Sequence, residues 1–370
     1  MIAPEIEIQI IAVIVAVACA IPGVFLVLRR MALMSDAISH SILLGIVLAF
    51  FVVEDLSSPF LIAAAAATGV LTVSLVELLN RSRLVRKDAA IGLVFPALFS
   101  VGVILISRYA GNVHLDVDAV LLGELVFAPF DRMQMGGLDL GPRILWLMSG
   151  VLLVNAMFIT LFYKELKLTT FDASLAAALG FAPGLVHYLF MTLVSVTAVG
   201  AFDAVGSILV VALMIGPPAT AFLITDRLGR MILLSCAIGA MSAVSGYWLS
   251  YLFDVSVAGS MATMTGVWFA TAFLVAPERG MVAVRRRRHR QRWEFAQTML
   301  AIHLRNHEGS ERALEESRID HLHAHLRWDP GFAMRVVDRA VRAGIVQRAS
   351  SERLALTDAG RVRAKEAEAA

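Results

Sequence analysis

Residues 33–50 read LMSDAISHSILLGIVLAF, an apolar run long enough to enter a bilayer that nevertheless carries Asp36 and His40. On a helix, positions four apart stand one above the other on a single face. A carboxylate and an imidazole are therefore stacked where hydrocarbon would surround them, and ionisable residues at that depth are costly and default to function. Two readings of the pair stand at this point. In one, its oxygen and nitrogen are ligands for borderline divalent cations such as Mn2+, Fe2+ and Zn2+. In the other, Asp36 caps the helix start with help from Ser35 and Ser39, and His40 donates to a backbone carbonyl. A single pair supplies two ligands, whereas a symmetric dimer of such chains supplies four.

The surroundings set the class. The chain has 370 residues, 58% hydrophobic and 17% charged, with a mean hydropathy of +0.76, which describes a polytopic membrane protein and excludes a soluble enzyme. Apolar blocks near 8–28, 36–53, 60–79, 89–107, 144–163, 184–201, 204–224, 231–252 and 258–276 predict about nine crossings. The segment 119–129 is too short to cross and is expected as a re-entrant or interfacial helix. The N-terminus ahead of the first block carries Glu5 and Glu7 rather than a basic leader, so 8–28 is expected to be a retained span. Cys19 and Cys236 fall inside apolar blocks and read as packing rather than as a disulfide.

Arg29, Arg30, Arg81, Arg83, Arg86, Lys87, Lys164, Lys167, Arg227 and Arg230 fall in alternate gaps, and the opposite gaps hold Glu54, Asp55, Asp203 and Asp254. The positive-inside rule then predicts a protein of the cytoplasmic membrane with its N-terminus outside and its C-terminus in the cytoplasm. The gap 108–143, with three arginines among its acids, departs from this pattern. No GxxxxGK[ST] occurs, so any ATP that drives this chain is hydrolysed by another subunit.

Three further features of the membrane body carry expectations. Gly216-Pro217-Pro218 lies within a span and predicts a break, either beside a path or as a packing kink. Asp203 opens the same span as a cap or a gate. Residues 163–183 predict a short helix from Asp172 to Leu179, stopped by Gly180 and Pro183.

The stretches LRRMALMSDAISHSILLGIVLAF (28–50) and GAFDAVGSILVVALMIGPPATAFLITDRL (200–228) resemble two signatures of the ATP-binding-cassette permeases for manganese, zinc and iron, and the resemblance runs from about residue 8 to 277. It implies a transport subunit with no permanently bound cofactor that moves Mn2+, Zn2+ or Fe2+. The implied partners are a cytoplasmic ATPase dimer, a second permease copy or paralogue, and an extracytoplasmic metal-binding protein. It places Asp36 and His40 on the metal pathway and makes Asp172, Ala176, Leu179 and Gly180 part of the helix that couples to the ATPase. Glu124, in LLGELV, takes an acidic position that faces an entry vestibule or solvent, and Asp203 remains a second candidate for entry or gating.

Composition changes near residue 279, giving a transmembrane domain over 1–279 and a basic linker with a small domain over 280–370. The arginines of 285–292 read as an anchor against anionic lipid. A helix over 291–306, a region 311–327, a helix over 330–343 that begins at Asp329-Pro330 and stops at Gly344, a hairpin around Ser350-Ser351, and a last helix follow. This order resembles the winged helix of the diphtheria-toxin-repressor type. Arg335, Arg339 and Arg342 line one face of the candidate recognition helix, although a regulatory or protein-interaction role is preferred to DNA contact. His303 and His307 at i, i+4, with His321, His323 and His325, form a candidate sensor of cytoplasmic metal, with no cysteine and no evident carboxylate partner.

The expected fold is thus an all-α polytopic membrane protein of about nine helices plus a re-entrant one, with a small cytoplasmic winged-helix-like α+β domain. Two alternatives come from other classes. A proton-coupled secondary transporter would use the same Asp/His pair but show inverted repeats, which are not found, and a membrane-tethered DNA-binding regulator would not need a polar pair inside a span.

Overall fold

The computed structural model describes residues 3–54, 58–109, 125–135, 138–310, 313–350 and 353–369. The chain divides into two compact units, one up to Gly280 and one from Met281.

Among the described residues of the first unit, eight helices are long and apolar enough to cross a membrane. They are α1 (Pro4–Leu28), α2 (Leu33–Val53), α3 (Pro59–Arg81), α4 (Lys87–Tyr109), α5 (Arg143–Leu161), α8 (Pro183–Ile224), α9 (Leu228–Phe253) and α10 (Val257–Val275). Two short helices, α6 (Tyr163–Phe171) and α7 (Ala173–Ala178), precede α8. An antiparallel hairpin of β1 (Arg132–Met135) and β2 (Leu138–Pro142) precedes α5. Proline opens α1, α3 and α8, where its missing N–H leaves no bond unmade. The side chains of Ser58 and Ser256 accept from backbone N–H groups at the starts of α3 and α10.

The helix α8 spans 42 residues, too long for a single crossing. Gly206 breaks it with φ 76° and ψ 166°, a conformation essentially confined to glycine. The chain reverses there. Phe190 sits edge-on to Phe25, ring centroids 6.0 Å apart, while a methyl group added to Gly23 would lie 2.9 Å from the Met214 carbonyl carbon and 3.0 Å from Pro218 Cγ. Residues 190 and 214 of a straight helix stand about 36 Å apart, yet both meet the same turn of α1. The two arms of α8 are therefore antiparallel.

Gly216-Pro217-Pro218 does not break the chain, because backbone angles stay helical through both prolines, which leaves the reading of a packing kink. Pro218 cannot donate to the Met214 carbonyl, which instead faces the α-hydrogens of Gly23 on α1. The expected re-entrant helix over 119–129 is also corrected where it is described: Leu125–Phe130 forms turns. Residues 119–124 lie outside the described residues.

The helix α1 is the most enclosed, with 72% of its apolar window buried, against 22% for α4. Polar side chains and close backbone approaches join the helices to one another, as membrane packing requires. Thr72 on α3 donates to Ser41 on α2 at 2.7 Å, and Ser195 on α8 donates to the Ala66 carbonyl at 3.0 Å. Buried Asn155 on α5 donates to the Ala18 carbonyl and to Thr197 Oγ1, both at 2.9 Å. Asn155→Ala is expected to cost about 1 kcal/mol, seen as a small drop in the thermal midpoint of the purified chain in detergent.

The second unit contains α11 (Met281–His307), α12 (Ala313–Glu316), α13 (Ile319–His325), α14 (Pro330–Arg342), β3 (Val346–Arg348), β4 (Leu354–Leu356) and α15 (Asp358–Ala369). The two short strands pair antiparallel, Val346 opposite Leu356 and Arg348 opposite Leu354. Leu300, Leu322, Val336, Val337, Val346 and Leu356 belong to a common core. Asp329 caps α14 by accepting from the Phe332 N–H, and Gly344 ends the segment at φ 68°. The unit contains little sheet, so its fold is described by this helix order and one hairpin.

Candidate functional site

The Asp36–His40 pair forms on the first two turns of α2. Ala32 precedes the helix without a side-chain cap. Ser35 and Ser39 donate back to the carbonyls of Ala32 and Ser35, both at 2.9 Å, so neither serine is spent on Asp36. The Asp36 carboxylate faces forward, with Oδ1 3.3 Å from His40 Nε2. The His40 ring lies nearly parallel to Phe95 at 5.9 Å and edge-on to Phe99 at 6.1 Å, both from α4. These two rings fix the imidazole from one side. The other side is open, since the side chains of His40 and Asp36 are 31% and 38% exposed.

Further along α2, Ile42 and Ile46 line a cavity of about 540 Å3 with Ala65, Asp131, Arg143 and Asp203. Asp203 lies within the first arm of α8, three residues before the Gly206 reversal, and opens into this cavity. Two carboxylates and one guanidinium thus line its wall. Glu124, the other entry candidate, lies outside the described residues.

At the opposite end of α1, Asp172 caps α7 by accepting from the Leu175 N–H at 2.9 Å. Ala176 is buried, Leu179 is 61% exposed, and Gly180 turns the chain at φ 86°. A residue that sequence reading counted only as a charge organises this region. Arg29, just past the last residue of α1, donates to Thr170 and Thr169 Oγ1 of α6, both at 3.0 Å, and lies 4.9 Å over the Phe190 ring of α8. It ties α1, α6 and α8 together. No local signal marks it, because its partners lie more than a hundred residues away.

In the second unit, Arg335 and Arg342 donate to carbonyls of their own helix, those of Gly331 and Asp338. The Arg339 guanidinium stacks 4.0 Å over Trp293. His303, His307, His321 and His325 converge on Glu316, which sequence reading missed. The side chain of His323 lies outside the described residues. Burial pushes the His303 pKa below its ordinary value.

Comparison with known proteins places this geometry. The profile of the ABC 3 transport family matches residues 6–276. The zinc transport system membrane protein TroD of Treponema pallidum (strain Nichols) is 48% identical over 343 residues, covering 92% of this chain and 93% of that one. A match of that length extends past Gly280 into the second unit. The manganese transport system membrane protein MntD of Bacillus subtilis (strain 168) is 49% identical over 270 residues, 73% of this chain and 91% of that one. Among solved structures, PsaBC from Streptococcus pneumoniae in complex with Fab gives a TM-score of 0.63 at 29% identity, covering 77% of this chain and 100% of that one. On the extent of these matches, the chain belongs to the ABC 3 transport family.

Proposed function

We propose that this chain is the permease subunit of an ATP-driven importer that moves a divalent transition metal, Mn2+, Zn2+ or Fe2+, across the cytoplasmic membrane. The observation that carries the reading is the Asp36–His40 pair, 3.3 Å apart and about one-third exposed on a helix with no other ionisable residue. Hydrocarbon does not tolerate such a pair, so protein or water covers its open side. A second permease, a copy or a paralogue, meets that side and brings its own oxygen and nitrogen ligands to the path. The relatives named for zinc and manganese transport support this class of cargo.

With both arms of α8 crossing, the described residues supply nine spans, an odd number. The basic gaps then place the N-terminus outside and the second unit in the cytoplasm. Metal arrives from an extracytoplasmic binding protein, enters past Asp203, with Glu124 the other candidate for that entry role, and passes Asp36 and His40. The α6–α7 segment docks into a separate ATPase dimer, and Arg29 transmits its movement to α1 and α8. The second unit serves regulation rather than DNA contact, a preference supported by Arg339 being stacked on Trp293. Its winged-helix character rests on the order of helices and hairpin alone.

Leu179 on this docking segment is exposed although apolar. Leu179→Glu is expected to weaken association with the ATPase by about 10-fold or more, measured by co-purification of the two subunits. Membrane vesicles holding the complete complex test the energy source. Uptake that requires ATP and survives collapse of the proton gradient agrees with the proposal, whereas uptake driven by a proton gradient without ATP overturns it in favour of a secondary transporter.

A further inference from the structure

The second unit contains a cluster of metal-ligating side chains far in sequence from the Asp36–His40 pair. Glu316 ends α12 with its side chain only 4% exposed. Around it stand His303 and His307 from α11 and His321 and His325 from α13. His325 Nε2 lies 3.4 Å from Glu316 Oε1, and His303 Nε2 lies 3.5 Å from Oε2. The ligand atoms of His303, His307 and Glu316 all fall within 4.8 Å of one another, as do those of Glu316, His321 and His325. Glu316 is common to both groups.

The cluster is not explained as a set of ion pairs. Among the described residues, Glu316 Oε2 accepts no hydrogen bond, and buried His321 Nδ1, 4.0 Å from that oxygen, makes none either. A buried carboxylate oxygen left without a donor costs free energy, and four imidazoles cannot all be cations beside one carboxylate. A metal ion coordinated by Glu316 and neighbouring histidines supplies the missing partner of that oxygen. Ions bound by imidazole nitrogen and carboxylate oxygen sit about 2.0–2.2 Å from each ligand, which places tetrahedral ligand atoms about 3.3–3.6 Å apart. The observed 3.4 and 3.5 Å separations already match. The His303 Nε2 contact with the Glu316 backbone carbonyl, 3.3 Å, is exchanged for coordination when the ion binds.

We infer that the second unit holds a divalent first-row transition metal through Glu316 together with histidines of α11 and α13. A donor set of nitrogen and carboxylate oxygen without thiolate suits Zn2+, Co2+ or Mn2+ rather than Cu+. The ion joins α11 to α13 across α12, so its binding stiffens the packing of this unit. The inference does not rest on the transport reading, because none of its residues belongs to the membrane unit.

The test uses the full-length chain purified in detergent, stripped of metal and carrying Asp36→Ala and His40→Ala to remove the membrane pair. Co2+ alone is titrated while its visible absorption is followed, with Zn2+ as competitor. The expected result is saturable binding of one equivalent, displaced by Zn2+. Glu316→Gln, which keeps the shape of the side chain, and His307→Ala, a partly exposed position, are each expected to raise the Kd by at least about 10-fold. With Trp146, Trp248 and Trp268 replaced by Phe so that Trp293 and Trp328 carry the fluorescence, metal is also expected to raise the melting temperature in the parent and not in Glu316→Gln. Absence of saturable Co2+ binding, or binding that neither substitution weakens, overturns the assignment.

Discussion

Gly206→Val is expected to abolish accumulation of the folded chain in the membrane, with Gly206→Ala giving a milder loss. The reversal of α8 rests on this residue at φ 76° and ψ 166°, where any side chain adds strain of about 1–3 kcal/mol and a β-branched one adds more. The strain cannot be relieved locally. Both arms of α8 are packed against α1, through Phe190 on one and Met214 and Pro218 on the other, so opening the turn separates contacts at the centre of the unit. Membrane-fraction yield and the thermal midpoint in detergent report the effect. Native yield and midpoint in Gly206→Val would show that the reversal does not depend on this backbone conformation.

Asp36→Asn is expected to lower metal uptake by at least about 100-fold. Partners that merely orient a metal ligand cost 10–100-fold when removed, and the ligand itself costs more. Asparagine keeps the volume of the side chain and its place 3.3 Å from His40, so the loss isolates the anionic oxygen from packing. His40→Gln is expected to act similarly by removing the nitrogen, while Phe95 and Phe99 remain to pack the site. The measurement is initial uptake rate against metal concentration. A change confined to the apparent affinity for ATP, with uptake otherwise native, would place the pair outside the path.

The membrane helices were legible because a span must be continuously apolar, and each predicted block lies within a helix of the structure or differs from it by only a residue or two at the ends. The reversal was legible less directly. The sequence places a gap beside Asp203, close to the turn, yet its strongest breaker is Gly216-Pro217-Pro218, where the helix runs on. Proline breaks a helix when the carbonyl it orphans has nowhere to go, and here Gly23 of another helix receives it. That contact exists only in three dimensions. Asp36 and His40 could be paired from spacing alone, whereas Arg29 could not, because Thr169, Thr170 and Phe190 reach it through the fold. The tail histidines were likewise visible as a pattern without a carboxylate. Glu316 sits on a separate four-residue helix and becomes their neighbour only when α11, α12 and α13 pack together.

The central claim is that metal passes Asp36 and His40, and the most direct measurement records metal uptake and ATP hydrolysis together in proteoliposomes containing the complete complex. Native, Asp36→Ala and His40→Ala permeases are compared at equal levels of assembled complex. The account predicts that both variants lose uptake while the complex still assembles and hydrolyses ATP. Native uptake in both variants would contradict it, making the pair structural and moving the metal path elsewhere in the membrane unit.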